Sequence, residues 1–259
     1  MGFRHTVLFS LIVGGLAVGT VHAAPLPPPS PNGEKGQAIF EQVCMPCHGI
    51  NGVGDGPAAF FIGSYTSPRP SDLTAGVFKF RSTPSGELPT DQDLFRTITN
   101  GIPGFMPPFV GLTAEDRWHV VEYVKSLFPG FKEEEGEEVE PVTVGFPSVP
   151  STSESIQRGK MIYFQFECDS CHGPNARGDS ALFQAGKLKD SRDLSIRPAD
   201  LTNLPSFKNG ASTHAIARTI LTGMDGTPMP SFADSFADQN EDIWHLINFI
   251  RSLSASSHP

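Results

Sequence analysis

The spacing of apolar residues along the chain predicts helices and little else. Leu94, Phe95 and Ile98 give helical spacing to Asp91–Asn100, and Ile216 and Ile220 do the same for Thr213–Thr222. A longer helix is predicted from about Ala114 to Phe128 and another from about Gln239 to Leu253. In the latter, Ile243, Leu246, Ile247, Ile250 and Leu253 form one continuous apolar stripe. A further helix opens each half, over Gly36–Cys44 and Gly159–Cys168. The stretches between are rich in Gly, Pro and Asp, which favour turns over regular structure. The fold class is all-α.

The same elements appear twice in the same order. Cys44-Met45-Pro46-Cys47-His48-Gly49 recurs as Cys168-Asp169-Ser170-Cys171-His172-Gly173. Arg69-Pro70-Ser71-Asp72-Leu73-Thr74 returns as Arg197-Pro198-Ala199-Asp200-Leu201-Thr202, and Met106-Pro107-Pro108-Phe109 as Met229-Pro230-Ser231-Phe232. Trp118-His119 returns as Trp244-His245. Four landmarks at nearly constant displacement mark a tandem duplication. Domains are expected at 32–131 and 152–259, joined by an acidic, Pro-containing linker at 132–151. Glu133, Glu134, Glu135, Glu137, Glu138 and Glu140 repel one another and offer nothing to bury, so the linker is expected to be solvated.

Residues 1–23 read as a signal peptide. Arg4 and His5 precede an apolar run from Val7 to Val21, and Val21-His22-Ala23 suits signal-peptidase cleavage. The run is shorter than the roughly 20 residues of a spanning helix. The expected location is periplasmic, with membrane contact only if the leader is uncleaved. Residues 24–31, with five prolines, form a stiff Pro-rich leader to the first domain. A net charge of −9 excludes nucleic acid as a partner, because phosphate binding needs clustered Lys and Arg. It is compatible with docking to basic patches on other proteins.

C-x-x-C-H is the pattern of c-type haem attachment. Two thiols two residues apart reach the two vinyl groups of one porphyrin, and the next residue aims its imidazole at the iron. A structural zinc site would need the four thiolates to converge, and would not require His after each pair. A redox dithiol would sit in an alternating strand–helix pattern, which is missing here. Cys44, Cys47 and His48, with Cys168, Cys171 and His172, use all four cysteines of the chain. For the opposite iron position, Met106 and Met229 stand in matching Met-Pro-x-Phe sequences, where proline fixes the backbone direction. Met1 lies in the leader, Met45 inside an attachment motif and Met161 on an opening helix. Met224 has no methionine counterpart; Ile102 stands nearby in the first copy. His119 and His245 are expected on the helix surface without a role, and His214 likewise on the surface. Arg69, Arg81 and Arg197 either contact haem carboxylates or, in Arg-Pro-x-Asp, pair with Asp72 or Asp200 to shape the loop.

With both attachment motifs, a distal Met-Pro and flanking helices, the sequence resembles class I cytochrome c, specifically the two-domain dihaem type, over roughly residues 32–131 and 152–254. The resemblance implies two covalent haem c groups, one per domain, with iron held by His48 and Met106 and by His172 and Met229. It implies one-electron transfer between a redox protein donor and acceptor, alone or as the electron-transfer subunit of a larger oxidoreductase or respiratory complex, with no catalytic residues of its own. A dihaem cytochrome c peroxidase is the alternative, and would need one iron with an open position. In this family the first and last helices cross through a small residue and an aromatic contact. Gly36 with Phe40 and Gly159 with Tyr163 resemble the opening-helix half, Tyr123 and Phe249 the closing-helix half. The stretch from Gly49 to Asp91, with its Phe78-Lys79-Phe80-Arg81 run, is long for a minimal member.

Overall fold

Each half is built on a crossing of its first and last helices. In the first half the opening helix runs Gly33–Ile39, continues through a π-turn over Phe40–Cys44 and ends as Met45–His48. It crosses the closing helix Ala114–Ser126 at Gly36, where a Cβ would run into the His119 carbonyl and the Tyr123 side chain. In the second half Ser153–Gln165 crosses Asp242–Ala255 at Gly159, whose Cβ would strike the His245 carbonyl and Phe249. One turn further on, rings meet. The Phe40 and Tyr123 centroids are 5.1 Å apart and those of Tyr163 and Phe249 5.5 Å, both pairs tilted at 58°. The expected crossing is present in both copies.

The opening helices start earlier than apolar spacing indicates, because caps precede them. The Asn32 side chain accepts from Lys35 N at 3.0 Å, and the Thr152 hydroxyl from Ser155 N at 3.1 Å. The second copy has one residue more between its crossing glycine and its first cysteine. A break absorbs it: Phe166 leaves the helix and Glu167 takes a left-handed φ of 54° before Cys168–His172 resumes. In the first copy the π-turn keeps the chain helical throughout.

His119 and His245 are not idle surface residues. His119 is 3% exposed, and its Nδ1 accepts the Asn32 N–H at 2.9 Å. His245 Nδ1 shares a 2.9 Å hydrogen bond with Ser155 Oγ. The glycine crossing brings the helices so close that each ring reaches the start of the partner helix. His214 is exposed, with its ring 6.3 Å from that of Trp244.

The computed structural model describes residues 26–27, 30–60, 66–67, 69–133, 139–145, 147–237 and 241–255. The expected signal peptide, the glutamates at 134, 135, 137 and 138, and the expected helix start at Gln239 lie outside them. No helix among the described residues is long and apolar enough to cross a membrane. Middle helices Asp91–Asn100 and Thr213–Thr222 match expectation; Thr90 with Asp93 forms a capping box on the first, and Ser212 caps the second. Phe95 from the first stacks on Trp118, centroids 4.2 Å apart. The two-residue strands Thr66–Ser67 and Ser195–Ile196, one from each half, pair in parallel.

That pairing is one part of an interdomain seam built by the long 49–91 stretch. Arg81 is fully buried and donates from Nη2 to Asp225 Oδ1 and to the Thr222 carbonyl, both at 2.8 Å. Asp225 also accepts from Ser85 Oγ at 2.7 Å and Gly86 N at 2.9 Å. Arg81, a candidate for haem carboxylate contact, is instead the pin between domains. Arg96 and Arg218 occupy the same place in their repeats, five residues before the capping Gly101 and Gly223. Burial and the nearby Arg96 push Arg218 down to about 10. The linker is also not wholly solvated. Val142 N donates to the Ser82 carbonyl at 2.7 Å, while Val144 and Val149 pack on the second domain's core. Past its glutamates the chain carries valines, and these find apolar surface on the domains.

Arg81→Ala should cost about 3–5 kcal/mol, the usual loss when one partner of a buried ion pair is removed. Urea denaturation checks this. The wild type should unfold in one transition and the variant in two, as its domains separate; a single unshifted transition would refute the pin.

Candidate functional site

The ends of the opening helices place Cys44, Cys47 and His48, and Cys168, Cys171 and His172, at the walls of two cavities of about 230 and 450 Å³. Phe40, Leu94, Ile98, Phe109 and Val120 line the first, and Tyr163, Ile216, Ile220, Phe232 and Leu246 the second. Such mainly apolar walls with a few convergent polar groups suit a flat organic cofactor.

Both histidines are held in one tautomer. His48 Nδ1 lies 3.3 Å from the Ser71 carbonyl and His172 Nδ1 3.0 Å from the Ala199 carbonyl. A carbonyl only accepts, so Nδ1 carries the proton and Nε2 keeps its lone pair. Burial pushes both imidazoles below their usual pKa, which keeps them neutral. This is how a histidine is prepared for a metal through Nε2. The orienting carbonyls come from the repeated Arg-Pro-x-Asp. Asp72 and Asp200 fix them by accepting from the N–H of Thr74 and Thr202, each at 2.9 Å, and from their hydroxyls at 2.7 and 2.6 Å.

The aspartates therefore do not pair with the motif's arginines; threonine two residues on occupies them. Arg69 lies over the Phe60 ring at 5.2 Å and lines the first cavity. Arg197 donates to the Gly178 and Arg177 carbonyls and lines the second. The sequence reading missed Ser71 and Ala199 because they act through the backbone. The repeat of the whole six-residue motif was the available signal.

Burial, followed by the neighbouring Cys47, pushes the Cys44 thiol up to about 11, and burial does the same to Cys168. Neither Cys44 nor Cys168 is therefore the low-pKa nucleophile of a dithiol oxidoreductase. Among the described residues no cluster of three or more His, Cys, Asp or Glu converges for a metal. The zinc reading therefore lacks its site.

Met106 lines the cavity of His48, and Met229 that of His172. Gly101 and Gly223 end the middle helices at φ 64° and 67°, and side chains there would collide with the returning loops. The turn lets Ile102 and Met106 exchange backbone hydrogen bonds of 2.8 and 2.9 Å. In the second copy Met224 N donates to the Met229 carbonyl at 3.0 Å, and Met229 N to Thr227 Oγ1 at 3.2 Å. Met224 is thus the positional counterpart of Ile102. It lines both cavities, as do Ile196, Lys208 and Thr227.

The family model described as cytochrome c oxidase, cbb3-type, subunit III matches residues 31–124, and that of cytochrome c matches residues 156–254. The chain belongs to the dihaem class I c-type cytochromes. This cytochrome is 40% identical to a chain from a solved Kuenenia stuttgartiensis reducing HAO-like protein complex. The likeness covers 86% of this chain and 96% of that one, with a TM-score of 0.76. Comparison with curated proteins finds no match. Tandem cytochrome c domains imply haem c binding and electron transfer, and the half-buried neutral histidines, the paired thiols and the apolar walls of this cytochrome fit that cofactor.

Proposed function

We propose that this cytochrome is an exported carrier with two covalent haems, one per domain, that passes single electrons between a donor and an acceptor as a partner or subunit of a larger oxidoreductase. The observation that carries this reading is that each cavity combines a histidine locked with Nδ1 protonated and a methionine on a folded-back loop. Cys44 and Cys47 tether the first haem, and Cys168 and Cys171 the second. His48 and His172 offer Nε2, and Met106 and Met229 offer their thioethers. Haem c, when bound, supplies a reversible one-electron iron centre whose potential Met/His ligation raises.

The residues of this chain then do three things. They would hold each iron by a histidine and a methionine, His48 with Met106 and His172 with Met229, which would leave no open position for peroxide and favours a carrier over the peroxidase alternative. They keep water from the ring with aromatic and aliphatic walls. They bring the two cavities together, since Ile196, Lys208, Met224 and Thr227 line both and leave one layer of side chains between them at that point. The solved relative belongs to a complex described as a reducing HAO-like one, which supports work beside a larger redox enzyme. The apolar leader from Val7 to Val21 supports export to the periplasm.

Electron paramagnetic resonance tests this reading. The half-reduced wild type should contain only low-spin ferric iron. Met106→Ala and Met229→Ala should each convert one haem to high spin and lower its potential, because a ligand that stabilises reduced iron is lost. Met224→Ala should leave both irons low-spin. High-spin iron in the half-reduced wild type, with rapid peroxide consumption, would replace the carrier with a peroxidase. Conversion by Met224→Ala but not Met229→Ala would reassign the second ligand.

A further inference from the structure

Lys208 belongs to the second domain, yet its ammonium lies 4.9 Å from the ring centroid of Phe105, the neighbour of Met106 in the first. It is half-buried and lines both cavities. Lys79, from the other domain, lines the first cavity and is near enough for the two charges to oppose each other. Asp190 acts on Lys79 but not on Lys208. Among the described residues neither lysine takes part in an ion pair. Arg69, on the same first cavity, has its Nε buried without a hydrogen-bond partner. The chain as a whole carries a net charge of −9, so this cluster of cations is not a general property of its surface.

Cations drawn out of water without a counter-charge are costly, and such a group normally faces an anion. Asp190 answers Lys79 alone: its Oδ1 accepts from Arg192 N at 2.9 Å and Leu194 N at 3.0 Å, and its Oδ2 is buried without a hydrogen bond. Lys208 is left without a carboxylate partner among the described residues, and haem, when bound, would bring carboxylates of its own.

We propose that Lys208 is a shared counter-charge for the haem carboxylates of both sites, so that the second domain completes the haem site of the first. This rests on the haem reading given above. Ferric haem carries one more positive charge than ferrous haem, so a nearby ammonium disfavours the oxidised form and raises the potential. The low local dielectric at the junction strengthens the effect relative to water.

Spectroelectrochemical titration of the full chain tests it, with haem content measured first. Titrations repeated in a Met106→His background, where the first haem loses its thioether, assign each step to its haem. Lys208→Gln should lower the potential of both haems, and Lys208→Arg should restore both. A shift confined to the second haem, or no shift, overturns the proposal, as does Lys208→Arg behaving like Lys208→Gln. Wild-type protein with fewer than two haems overturns the haem reading instead.

Discussion

Valine in place of Gly159 is expected to cost the second domain more than about 3 kcal/mol, beyond the usual range for overpacking a core. Overpacking is normally eased by side chains that change rotamer, but here the obstacle is the His245 carbonyl, part of a helix backbone. The helices must move apart. That also pulls Tyr163 from Phe249 and breaks the hydrogen bond between Ser155 and His245. Because the pinned domains unfold together, the loss corresponds to a drop in melting temperature of about 6 °C or more. Thermal melts followed by circular dichroism check it, with Gly36→Val as the parallel case. A variant melting within a few degrees of wild type would mean that the crossing can open to admit a side chain.

Replacing Cys44 and Cys47 together by alanine should remove one covalent haem and leave the other. The tethers of the two cavities come from separate helix ends, Cys44 and Cys47 from the turn Phe40–Cys44 and the segment Met45–His48, and Cys168 and Cys171 from Cys168–His172, and neither cavity has a cysteine of the other domain in its wall. Mass spectrometry of the intact protein reads the result as the loss of one haem mass, alongside loss of the leader in both wild type and variant. Loss of both haems would show that the second site cannot form without the first. Retention of both would mean that those cysteines are not the tethers.

Much of this structure was legible because it is local or repeated. Helical spacing located the middle helices, and the repeat of Met-Pro-x-Phe placed one methionine in each cavity. Gly36 and Gly159 were legible as crossing points only through resemblance, since nothing in a lone glycine tells which backbone comes near it. What escaped the sequence depends on contacts between distant residues or on the backbone. The Ser71 and Ala199 carbonyls orient the histidines, but a carbonyl is the same in every residue type. Arg81 read only as a candidate haem contact because a guanidinium suits any carboxylate, and only the fold brings Asp225 to it. His119 looked idle because its partner, the Asn32 N–H, lies 87 residues away and has no side-chain signature. The linker's glutamates hid the valines that follow them.

The shared wall between the cavities has a consequence for biogenesis. A chain is synthesised from its N-terminus, and domains fold as they become available. Every tether and axial ligand proposed for the first haem lies at or before Met106, but Ile196, Lys208, Met224 and Thr227 also border its cavity. Until those residues have been made and have docked, the first cavity stands open along that side. A chain with only its first half folded would hold a cavity open on that side, and docking of the second half would close it.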